Sequence, residues 1–324
     1  MCSLPWLHSV GLAILTGLGL ALVSMPIFLR WAKGHGWGQE VREEGPKAHL
    51  SKAGTPTMGG IVLILAGLIA SFWAPNSLDL WIFRFTVVVC AGLGMVDDLS
   101  KLMKHRSLGL KARHKMAVLL VLGLILFAYL ALTRQNFGVN IPLVGFVGSA
   151  WVVLAVTLLL TSGTVNAVNL TDGLDGLAGG TCTAALLAYS AIAAHTGHTE
   201  LCIASAAMAG ACVGFLWYNV FPARVFMGDT GSLALGGALA SLALLTGTEF
   251  LLVLVGGIFV IEALSVIIQV SYFKLTNGKR IFKMSPIHHH FELSGLHEVQ
   301  VTARFTIISV ILALLGVLYC LGGL

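Results

Sequence analysis

The chain has 324 residues, of which 57% are hydrophobic and only 10% are charged, and its formal net charge is +5. A soluble domain carries about 25% charged residues, so this composition excludes an ordinary water-soluble domain and indicates that lipid surrounds most of the chain. The mean hydropathy of +0.92 agrees. None of the six cysteines forms a C-x-x-C pair, so neither a disulfide framework nor a cysteine metal site is expected.

Ten apolar segments approach the length of about 20 residues that a helix needs to cross a bilayer. The sequence therefore predicts an all-α, polytopic integral membrane protein. The first segment is followed by Arg30, Trp31 and Lys33 and not by a small-residue cleavage site, which favours a retained span over a cleaved signal peptide. The predicted spans are 9–30, 57–74, 80–96, 116–133, 149–166, 178–195, 200–218, 232–247, 250–272 and 304–322.

Lysine and arginine residues predict the orientation of these spans, because they accumulate on the cytoplasmic side. Of the 19 Lys and Arg residues, all but Arg84 and Arg134 follow odd-numbered spans. We therefore expect both termini on the outer side and a single transmembrane domain, residues 1–324. The same bias accounts for the positive net charge, so no nucleic-acid partner is expected. The predicted cytoplasmic loops are 31–56, 97–115, 167–177, 219–231 and 273–303.

The first two cytoplasmic loops contain a glycine-rich segment and a pair of acids. Residues 52–60 read Lys-Ala-Gly-Thr-Pro-Thr-Met-Gly-Gly, a pattern that can hold a phosphate at a helix start. Asp97 and Asp98 are adjacent carboxylates at a membrane boundary, where repulsion and burial both disfavour charge. The pair indicates a cation or a proton-handling task, with Lys101 or a backbone donor holding one of the two acids.

The third and fourth loops carry further acids on the side where basic residues are otherwise enriched. Residues 166–177 read Asn-Ala-Val-Asn-Leu-Thr-Asp-Gly-Leu-Asp-Gly-Leu. Asp172 and Asp175 share one face if this segment is helical, and Asn and Asp side chains can bind a base or a ribose. In the fourth loop, Asp229 is either a helix N-cap or a metal ligand, and Phe226 is placed to stack on a base.

The last cytoplasmic loop contains three consecutive histidines, His288, His289 and His290. They indicate metal ligation, phosphate binding or proton transfer. Zinc is disfavoured, because adjacent residues make a poor chelate and no cysteine joins them. Glu262 lies in the middle of the ninth predicted span, where a charged residue is a functional hypothesis by default. The alternative for Glu262 is a structural partner in the bundle, with Gln269 seven residues further along.

Acids, lysines and histidines on one membrane face predict metal-assisted phosphoryl transfer. Mg²⁺ prefers carboxylate oxygens together with substrate phosphates, and it would neutralise the charge of a leaving phosphate. A site at the lipid boundary indicates one soluble substrate and one lipid-borne substrate.

These motifs resemble those of the polyprenyl-phosphate N-acetylhexosamine-1-phosphate transferase family, over nearly the whole chain. The histidine triplet and residues 169–176 are similar to the phospho-N-acetylmuramoyl-pentapeptide branch rather than the N-acetylglucosamine branch. The chain departs from the Gly-Trp pair that is common in the family after the histidine triplet, because Leu296, followed by His297, replaces the aromatic residue. The resemblance rests on residues 54–60, 97–98, 166–176, 226–229 and 286–292.

The resemblance implies a defined reaction. Phospho-N-acetylmuramoyl-pentapeptide would pass from its UDP-activated donor to undecaprenyl phosphate, giving lipid I and UMP in peptidoglycan synthesis, with Mg²⁺ as cofactor. It also implies a multi-pass homodimer in the bacterial cytoplasmic (inner) membrane, surrounded by membrane lipid, with its active site facing the cytoplasm.

The resemblance also implies roles for individual residues. Asp97 and Asp98 would be the catalytic pair, one of which deprotonates the lipid phosphate. Asp229 would be catalytic and the magnesium ligand, and His288 would assist at the phosphates. The implied substrate-binding residues are Lys52, Thr55, Lys101, Lys115, Asn169, Leu170, Asp172, Gly173, Asp175, Asn219, Phe226, Gln269, His289 and His290.

Two alternatives remain open from the sequence. A sister transferase that uses UDP-N-acetylglucosamine would share the chemistry but not the sugar, and the histidine triplet argues against it. An ion-coupled transporter would use Asp and His as a proton relay, but its ionisable groups should lie at the membrane midplane in repeated halves. Only Glu262 is deep in a predicted span, and no internal repeat is evident.

Overall fold

The chain forms a bundle of α-helices with one short β-hairpin, in a computed structural model that describes residues 6–38, 52, 54–104, 109–134, 136–142 and 144–322. The prediction of an all-α membrane protein is confirmed. Residues 39–51, 53 and 105–108 of the predicted cytoplasmic loops, which include Arg42, Lys47 and Arg106, lie outside the described residues. The helices are α1 (Trp6–Gly34), α2 (Gly60–Ala70), α3 (Leu78–Lys104), α4 (Ala112–Thr133), α5 (Ala150–Thr171), α6 (Leu177–His195), α7 (Thr199–Asn219), α8 (Gly228–Thr246), α9 (Leu251–Val255), α10 (Gly257–Leu275), α11 (Ile287–Glu292) and α12 (Glu298–Cys320).

Nine helices in the described part of the chain are long and apolar enough to cross a membrane. The second predicted span, 57–74, is shorter than expected: α2 has 11 residues and continues as a 3-10 turn at Ser71–Trp73. Met58 has a φ of 65°, a conformation that a right-handed helix excludes, so α2 begins only at Gly60. The ninth predicted span is divided at Gly256 into α9 and α10. The orientation of the spans stays a prediction.

Helices α6, α7 and α8 form the buried centre of the bundle, and the outer helices expose apolar faces of the kind that suit lipid. Small residues allow α1 and α7 to pack closely. A Cβ added at Gly17 would collide with the backbone of Ala207, and one added at Gly214 would lie 2.8 Å from the Ala21 side chain. Such contacts are typical of helix packing in membranes.

Arg84, which departs from the positive-inside pattern, is buried near the start of α3. Its guanidinium donates hydrogen bonds to the hydroxyl and the carbonyl oxygen of Ser71, both at 2.9 Å. It also lies 4.0 Å from the centroid of the Phe72 ring. These contacts compensate for the burial of the charge, so α3 continues through this residue.

The ends of the long helices define two polar regions. At one end, β1 (Val139–Ile141) pairs antiparallel with β2 (Gly145–Val147) in the connection between α4 and α5. At the other end, the C-termini of α3 and α5 meet the N-termini of α4, α8 and α12, together with the residues that precede them. The second end contains the polar motifs singled out in the sequence.

Candidate active site

Three carboxylates and two lysines converge where α3 ends and α4 and α8 begin, and together they form an acid–lysine cluster. One oxygen from each carboxylate lies within 4.8 Å of the other two. Lys101 Nζ lies 2.7 Å from Asp97 Oδ2 and 3.0 Å from Asp229 Oδ1. Lys115 Nζ lies 3.1 Å from Asp97 Oδ1 and 2.6 Å from Asp229 Oδ2. Each lysine therefore bridges the same two acids. The cluster consists of Asp97, Asp98, Lys101, Lys115 and Asp229.

Asp98 is the member of the cluster that holds the start of α8. The backbone N–H of Asp229 donates to its Oδ1 at 3.0 Å. The backbone N–H and the hydroxyl of Thr230 donate to its Oδ2 at 2.9 and 2.8 Å. Free N–H groups in the first turn of a helix need such acceptors and favour a negative charge. Asp98 therefore caps α8 from another helix and fixes the position of Asp229.

Two glycines make this approach of α3 to α8 possible. A Cβ added at Gly94 would collide with the backbone carbonyl of Asp229, so the two helices touch through their main chains. Gly228 has a φ of 73°, and a Cβ there would lie 2.7 Å from Asp98 Oδ2. Side chains at these two positions would push the carboxylates apart.

Asp97 is fully buried, and its two oxygens have different surroundings. Oδ1 accepts a hydrogen bond from the backbone N–H of Leu110 at 2.6 Å. Oδ2 lies 2.7 Å from Lys101 Nζ, and no backbone or hydroxyl donor reaches it among the described residues. Asp97 is therefore the member of the adjacent pair whose second oxygen is held only by a lysine side chain.

Two polar residues at the end of α5 extend the cluster. The Asn169 amide donates to Asp229 Oδ1 at 3.1 Å and to Ser232 Oγ at 2.8 Å. Asp172 is partly buried just after α5. Burial, and next the negative charges of Asp229 and Asp98, raise the pKa of Asp172 to about 8. At neutral pH its carboxyl is largely protonated and can donate a hydrogen bond.

The acid–lysine cluster fits a divalent cation by charge and by ligand type. Three acids face two lysines, which leaves an excess of negative charge, and carboxylate oxygens are the ligands that Mg²⁺ prefers. The buried Asp97 Oδ2 is held only by the Lys101 ammonium, 2.7 Å away, a partner that such an ion would replace. Across the described ranges, this is the one place where three His, Cys, Asp or Glu side chains come close enough to hold a metal.

A second group of ion pairs, termed the Lys52 cluster, consists of Lys52, Asp175 and Glu298. Lys52 Nζ lies 2.7 Å from Asp175 Oδ1 and 2.5 Å from Glu298 Oε1. Glu298 Oε1 also accepts the backbone N–H of Asp175 at 2.8 Å. The other oxygen of Asp175 accepts the backbone N–H of Ala223 at 2.9 Å. The cluster therefore joins the first, third, fourth and fifth predicted cytoplasmic loops.

Asn219 and Phe226 connect neighbouring loops to the Lys52 cluster. Asn219 Oδ1 accepts the backbone N–H of Gly176 at 3.1 Å, and its amide donates to the carbonyl of Val225 at 2.9 Å. The backbone N–H of Phe226 donates to the carbonyl of Pro56, and its carbonyl accepts the N–H of Gly59. The Phe226 ring is partly exposed.

His288 and Glu262 form a fully buried pair, with Nδ1 and Oε1 3.1 Å apart. The Gly173 backbone lies against the His288 ring, because a Cβ there would collide with Nε2. The ring of His289 is 4.2 Å from that of His288, between centroids, and its Nδ1 lies 2.8 Å from Glu292 Oε2. The residue beside Glu262 is therefore His288 and not Gln269.

Of the remaining predicted binding residues, Gln269 and His290 bind the backbone of the loop that precedes α11, whereas Thr55 and Leu170 do not. Gln269 Oε1 accepts the backbone N–H groups of Ile281 and Phe282 at 3.1 and 2.9 Å. His290 Nδ1 accepts the N–H of Lys283 at 3.1 Å. Thr55 lines a groove beside α1, and Leu170 lies half-buried in the last turn of α5.

Three residues of these clusters were missed by the sequence reasoning: Thr230, Ser232 and Glu298. Thr230 and Ser232 have ordinary hydroxyls at the start of an apolar helix. Glu298 is an acid in the first turn of α12, a position explained by the helix dipole alone. Only their convergence with residues more than 60 positions away reveals a role.

Comparison with known proteins shows first the class to which this membrane bundle belongs. The model of the family described as Glycosyl transferase family 4 matches residues 80–247, which include the acid–lysine cluster. A Phospho-N-acetylmuramoyl-pentapeptide-transferase signature matches residues 52–64, which include Lys52. The chain is thus a membrane transferase of glycosyl transferase family 4.

Curated relatives narrow the class to one family. Three proteins named Phospho-N-acetylmuramoyl-pentapeptide-transferase align over nearly the whole of both chains. The protein of Desulforudis audaxviator is 45% identical (97% of each chain), that of Clostridium kluyveri 44% (94% of this chain and 98% of the relative) and that of Halalkalibacterium halodurans 43% (94% and 96%). The chain belongs to the phospho-N-acetylmuramoyl-pentapeptide-transferase family, which confirms the resemblance and disfavours the sister N-acetylglucosamine transferase.

Proposed function

We propose that the protein transfers phospho-N-acetylmuramoyl-pentapeptide from its UDP-activated donor to undecaprenyl phosphate, giving lipid I and UMP in an Mg²⁺-dependent reaction. Family membership supports the transferred group and the peptidoglycan pathway. The observation that supports this chemistry is the acid–lysine cluster, in which three carboxylates converge and two lysines bridge Asp97 and Asp229. An oxygen of the lipid phosphate attacks the phosphorus next to the sugar, the bond to the UMP phosphate breaks, and UMP leaves.

Asp97 is the proposed base that takes the proton from the lipid phosphate. Its Oδ2 is held only by the Lys101 ammonium, 2.7 Å away, and by no backbone or hydroxyl donor among the described residues. Asp98 would act through Asp229, since both of its oxygens accept hydrogen bonds from the start of α8. Catalysis by proton transfer requires this kind of geometry first and a suitable pKa second.

Lys101 and Lys115 would bind the phosphates of the two substrates. Their ammonium groups now bridge Asp97 and Asp229, and a phosphate is an equivalent anionic partner. Asp229 and Asp97 would hold Mg²⁺, which supplies charge neutralisation at the pyrophosphate when it is bound. Asn169 would orient Asp229, to which it already donates.

The Lys52 cluster is the proposed site for the uridine part of the donor. Asp175 and Asn219 offer hydrogen-bonding groups, and the partly exposed Phe226 ring offers a stacking surface. Asp172 and Gly173 would lie between this cluster and the acid–lysine cluster. Leu170 and Thr55 would lie at the edges of the donor site.

The histidine triplet and Gln269 would complete the site on the side of α10 and α11. Glu262 lies 3.1 Å from His288 Nδ1, and Nε2 lies against Gly173, where His288 would assist at the substrate phosphates. His289 and His290 would contact the donor, and Gln269 would hold the 281–283 segment beside them. We further propose that the protein is a homodimer in the bacterial cytoplasmic membrane, with this site facing the cytoplasm.

The test is an assay with purified protein, polyprenyl phosphate and either UDP-N-acetylmuramoyl-pentapeptide or UDP-N-acetylglucosamine. We expect UMP and a lipid product with the first donor, and loss of turnover in a chelator that Mg²⁺ restores. Equal turnover with the second donor contradicts the assigned substrate, and full turnover in chelator contradicts the metal. Protease access to tagged loops and termini in sealed vesicles tests the orientation, and cross-linking in membranes tests the dimer.

A further inference from the structure

A groove of about 560 Å³ lies between the C-terminal part of α1, residues 54–56 and residues 223–224. It is separate from the acid–lysine cluster, none of whose side chains line it. We infer that this groove binds the phosphate head group of an anionic bilayer lipid. It is termed the basic groove, and its defining side chains are Pro26, Leu29, Arg30, Lys33 and Arg224.

Among the residues that the structure describes, the charge of the basic groove is positive and has no acidic partner. Arg30, Lys33 and Arg224 line it, and no carboxylate does. Within the described residues, none of the three has an acid within ion-pair distance, whereas the lysines of the two clusters described above each bridge two acids. Three cationic side chains that line one groove attract a phosphate.

The apolar part of the groove identifies a lipid, and not a soluble phosphate, as the ligand. Pro26 and Leu29 lie one turn before the basic residues on α1, within the membrane-spanning stretch. Val23 and Ile27, on the same helix, expose 70% and 59% of their surface, as expected of a face that contacts acyl chains. A head group in the basic groove would therefore have its chains against this face of α1.

The two walls of the groove are joined by Tyr218, so the groove is formed before any ligand binds. Pro26 has no N–H and cannot donate to the carbonyl of Leu22 as a helix requires. The Tyr218 hydroxyl donates to that carbonyl at 3.0 Å. The backbone N–H of Arg224 donates to the Tyr218 carbonyl at 2.8 Å, and its guanidinium lies 5.5 Å from the Tyr218 ring centroid. The same tyrosine thus ties Arg224 to α1.

The basic groove shares a wall with the proposed donor site. Ala223 lines the groove, and its backbone N–H donates to Asp175 of the Lys52 cluster. A bound lipid would therefore lie next to the segment that positions Asp175, at the same end of the bundle as the acid–lysine cluster. The inference concerns binding and does not depend on the proposed reaction.

The experiment compares two triple variants of the full-length protein. The groove variant carries Arg30→Gln, Lys33→Gln and Arg224→Gln. The matched control carries Lys111→Gln, Lys274→Gln and Lys279→Gln, which remove the same charge from exposed side chains outside the groove. Native mass spectrometry in micelles measures the binding of phosphatidylglycerol and phosphatidylcholine, without donor. Each charge near an anionic lipid surface changes affinity by several-fold, so we expect the groove variant to bind phosphatidylglycerol at least about tenfold more weakly than the control.

Binding of phosphatidylcholine should be equal in all three proteins, and millimolar inorganic phosphate should not displace phosphatidylglycerol. Equal loss of phosphatidylglycerol in the two triple variants would mean a general surface-charge effect and would overturn the inference. Displacement by inorganic phosphate alone would overturn the assignment of a lipid. A groove variant that binds phosphatidylglycerol normally but loses polyprenyl phosphate would assign the groove to a substrate, which also overturns the inference. Circular dichroism of both variants checks that the helices are intact.

Discussion

Buried ion pairs occur at both ends of the bundle, but their charges are balanced at only one end. Near the β-hairpin, Arg134 and Glu249 form a pair with a 3.1 Å separation, and Glu249 is 2% exposed. The Arg134 guanidinium also donates to the carbonyl of Leu244. At the opposite end, the acid–lysine cluster has three acids for two lysines, and each lysine bridges the same two acids.

The difference shows which feature distinguishes a reactive site from a structural pair in lipid. A matched pair with satisfied hydrogen bonds ties helices together and has no need of a ligand. An excess of one sign favours a ligand of the opposite sign, which is a cation in the case of the acid–lysine cluster. Burial is common to both ends, so burial alone does not identify the site.

Removing the charge of Asp97 should give the largest effect. We expect Asp97→Asn to lower kcat by at least about 10³-fold, because general-base catalysis contributes about 10²–10⁴-fold and a metal ligand is lost as well. The thermal unfolding midpoint should fall less than in Asp98→Asn, since the asparagine carbonyl can still accept from Leu110 and both lysines keep Asp229 as a partner. A UMP-release assay measures this. Turnover within tenfold of the unchanged protein would remove Asp97 from the mechanism and undermine the contrast between the two ends.

Asp98→Asn should lower both activity and stability, in contrast to Asp97→Asn. An asparagine amide would direct N–H groups at the N–H groups of Asp229 and Thr230, and a buried donor without an acceptor costs about 1–3 kcal/mol. We expect a lowered unfolding midpoint and a kcat reduced by about 10²-fold through displacement of Asp229. Thr230→Val removes only one of the three hydrogen bonds to Asp98, so we expect it to lower the unfolding midpoint and kcat less. An unchanged midpoint in Asp98→Asn would contradict the capping role.

Glu298→Gln should affect the donor and leave the chemistry almost intact. The loss of one anionic partner of Lys52 should raise KM for the UDP donor by about tenfold, the value of a charge-assisted hydrogen bond. kcat should stay within about threefold. Glu200→Gln, in the first turn of α7, removes an acid far from the Lys52 cluster and serves as control. A fall in kcat without a change in KM would place Glu298 outside the donor site.

The raised pKa of Asp172 predicts a pH dependence of stability in the absence of metal. The folded protein retains the Asp172 proton up to about pH 8, whereas an unfolded chain releases it near pH 4. Because the folded state binds more protons in this interval, this residue lowers the free energy of unfolding as pH rises from about 4 to 8. Asp172→Asn should therefore be more stable than the unchanged protein at pH 8 and similar at pH 4.5. Parallel midpoint curves over this range would contradict the shift.

Glu249→Gln should have the smallest effect on activity and a clear effect on stability. It leaves Arg134 without its buried partner, and breaking such a pair costs about 3–5 kcal/mol. Burial raises the pKa of Glu249 while Arg134 lowers it, so part of that cost is already absent at low pH. Turnover of the protein that remains folded should match that of the unchanged chain. Loss of turnover in folded protein would mean that the two ends are not independent.

The sequence predicts the end of the bundle at which the site lies better than it predicts the pairing within it. The lengths of the apolar segments and the distribution of Lys and Arg assign Asp97, Asp175 and Asp229 to loops on one side, because alternate connections return to the same face. They give no distance between residues 60 or more positions apart. The adjacent Asp97 and Asp98 look equivalent in sequence, and only the approach of α8 separates them into one carboxylate that caps a helix and one that pairs with the two lysines.

The shortness of α2 was not predictable from apolar content. The segment 57–74 is apolar enough for a span, but Met58 adopts a positive φ and the chain at 56–60 pairs with the backbone of Phe226 and Met227. Hydropathy does not predict such backbone hydrogen bonds. They hold residues 56–59 outside the helix. Glu262 was found from its depth in the membrane, but its partner His288 comes from a separate loop.

The main-chain contact of α3 and α8 at Gly94 has a consequence for the size of the ion that the acids can hold. Asp97 and Asp98 lie one turn beyond Gly94, and Asp229 provides the carbonyl that touches it. Because the two backbones touch there, α3 and α8 lie as close together as their main chains allow. Calcium needs oxygens at about 2.3–2.6 Å and magnesium at about 2.0–2.1 Å. Carboxylates carried by helices in this close contact would suit the smaller ion, and a residue larger than glycine at position 94 would move them apart.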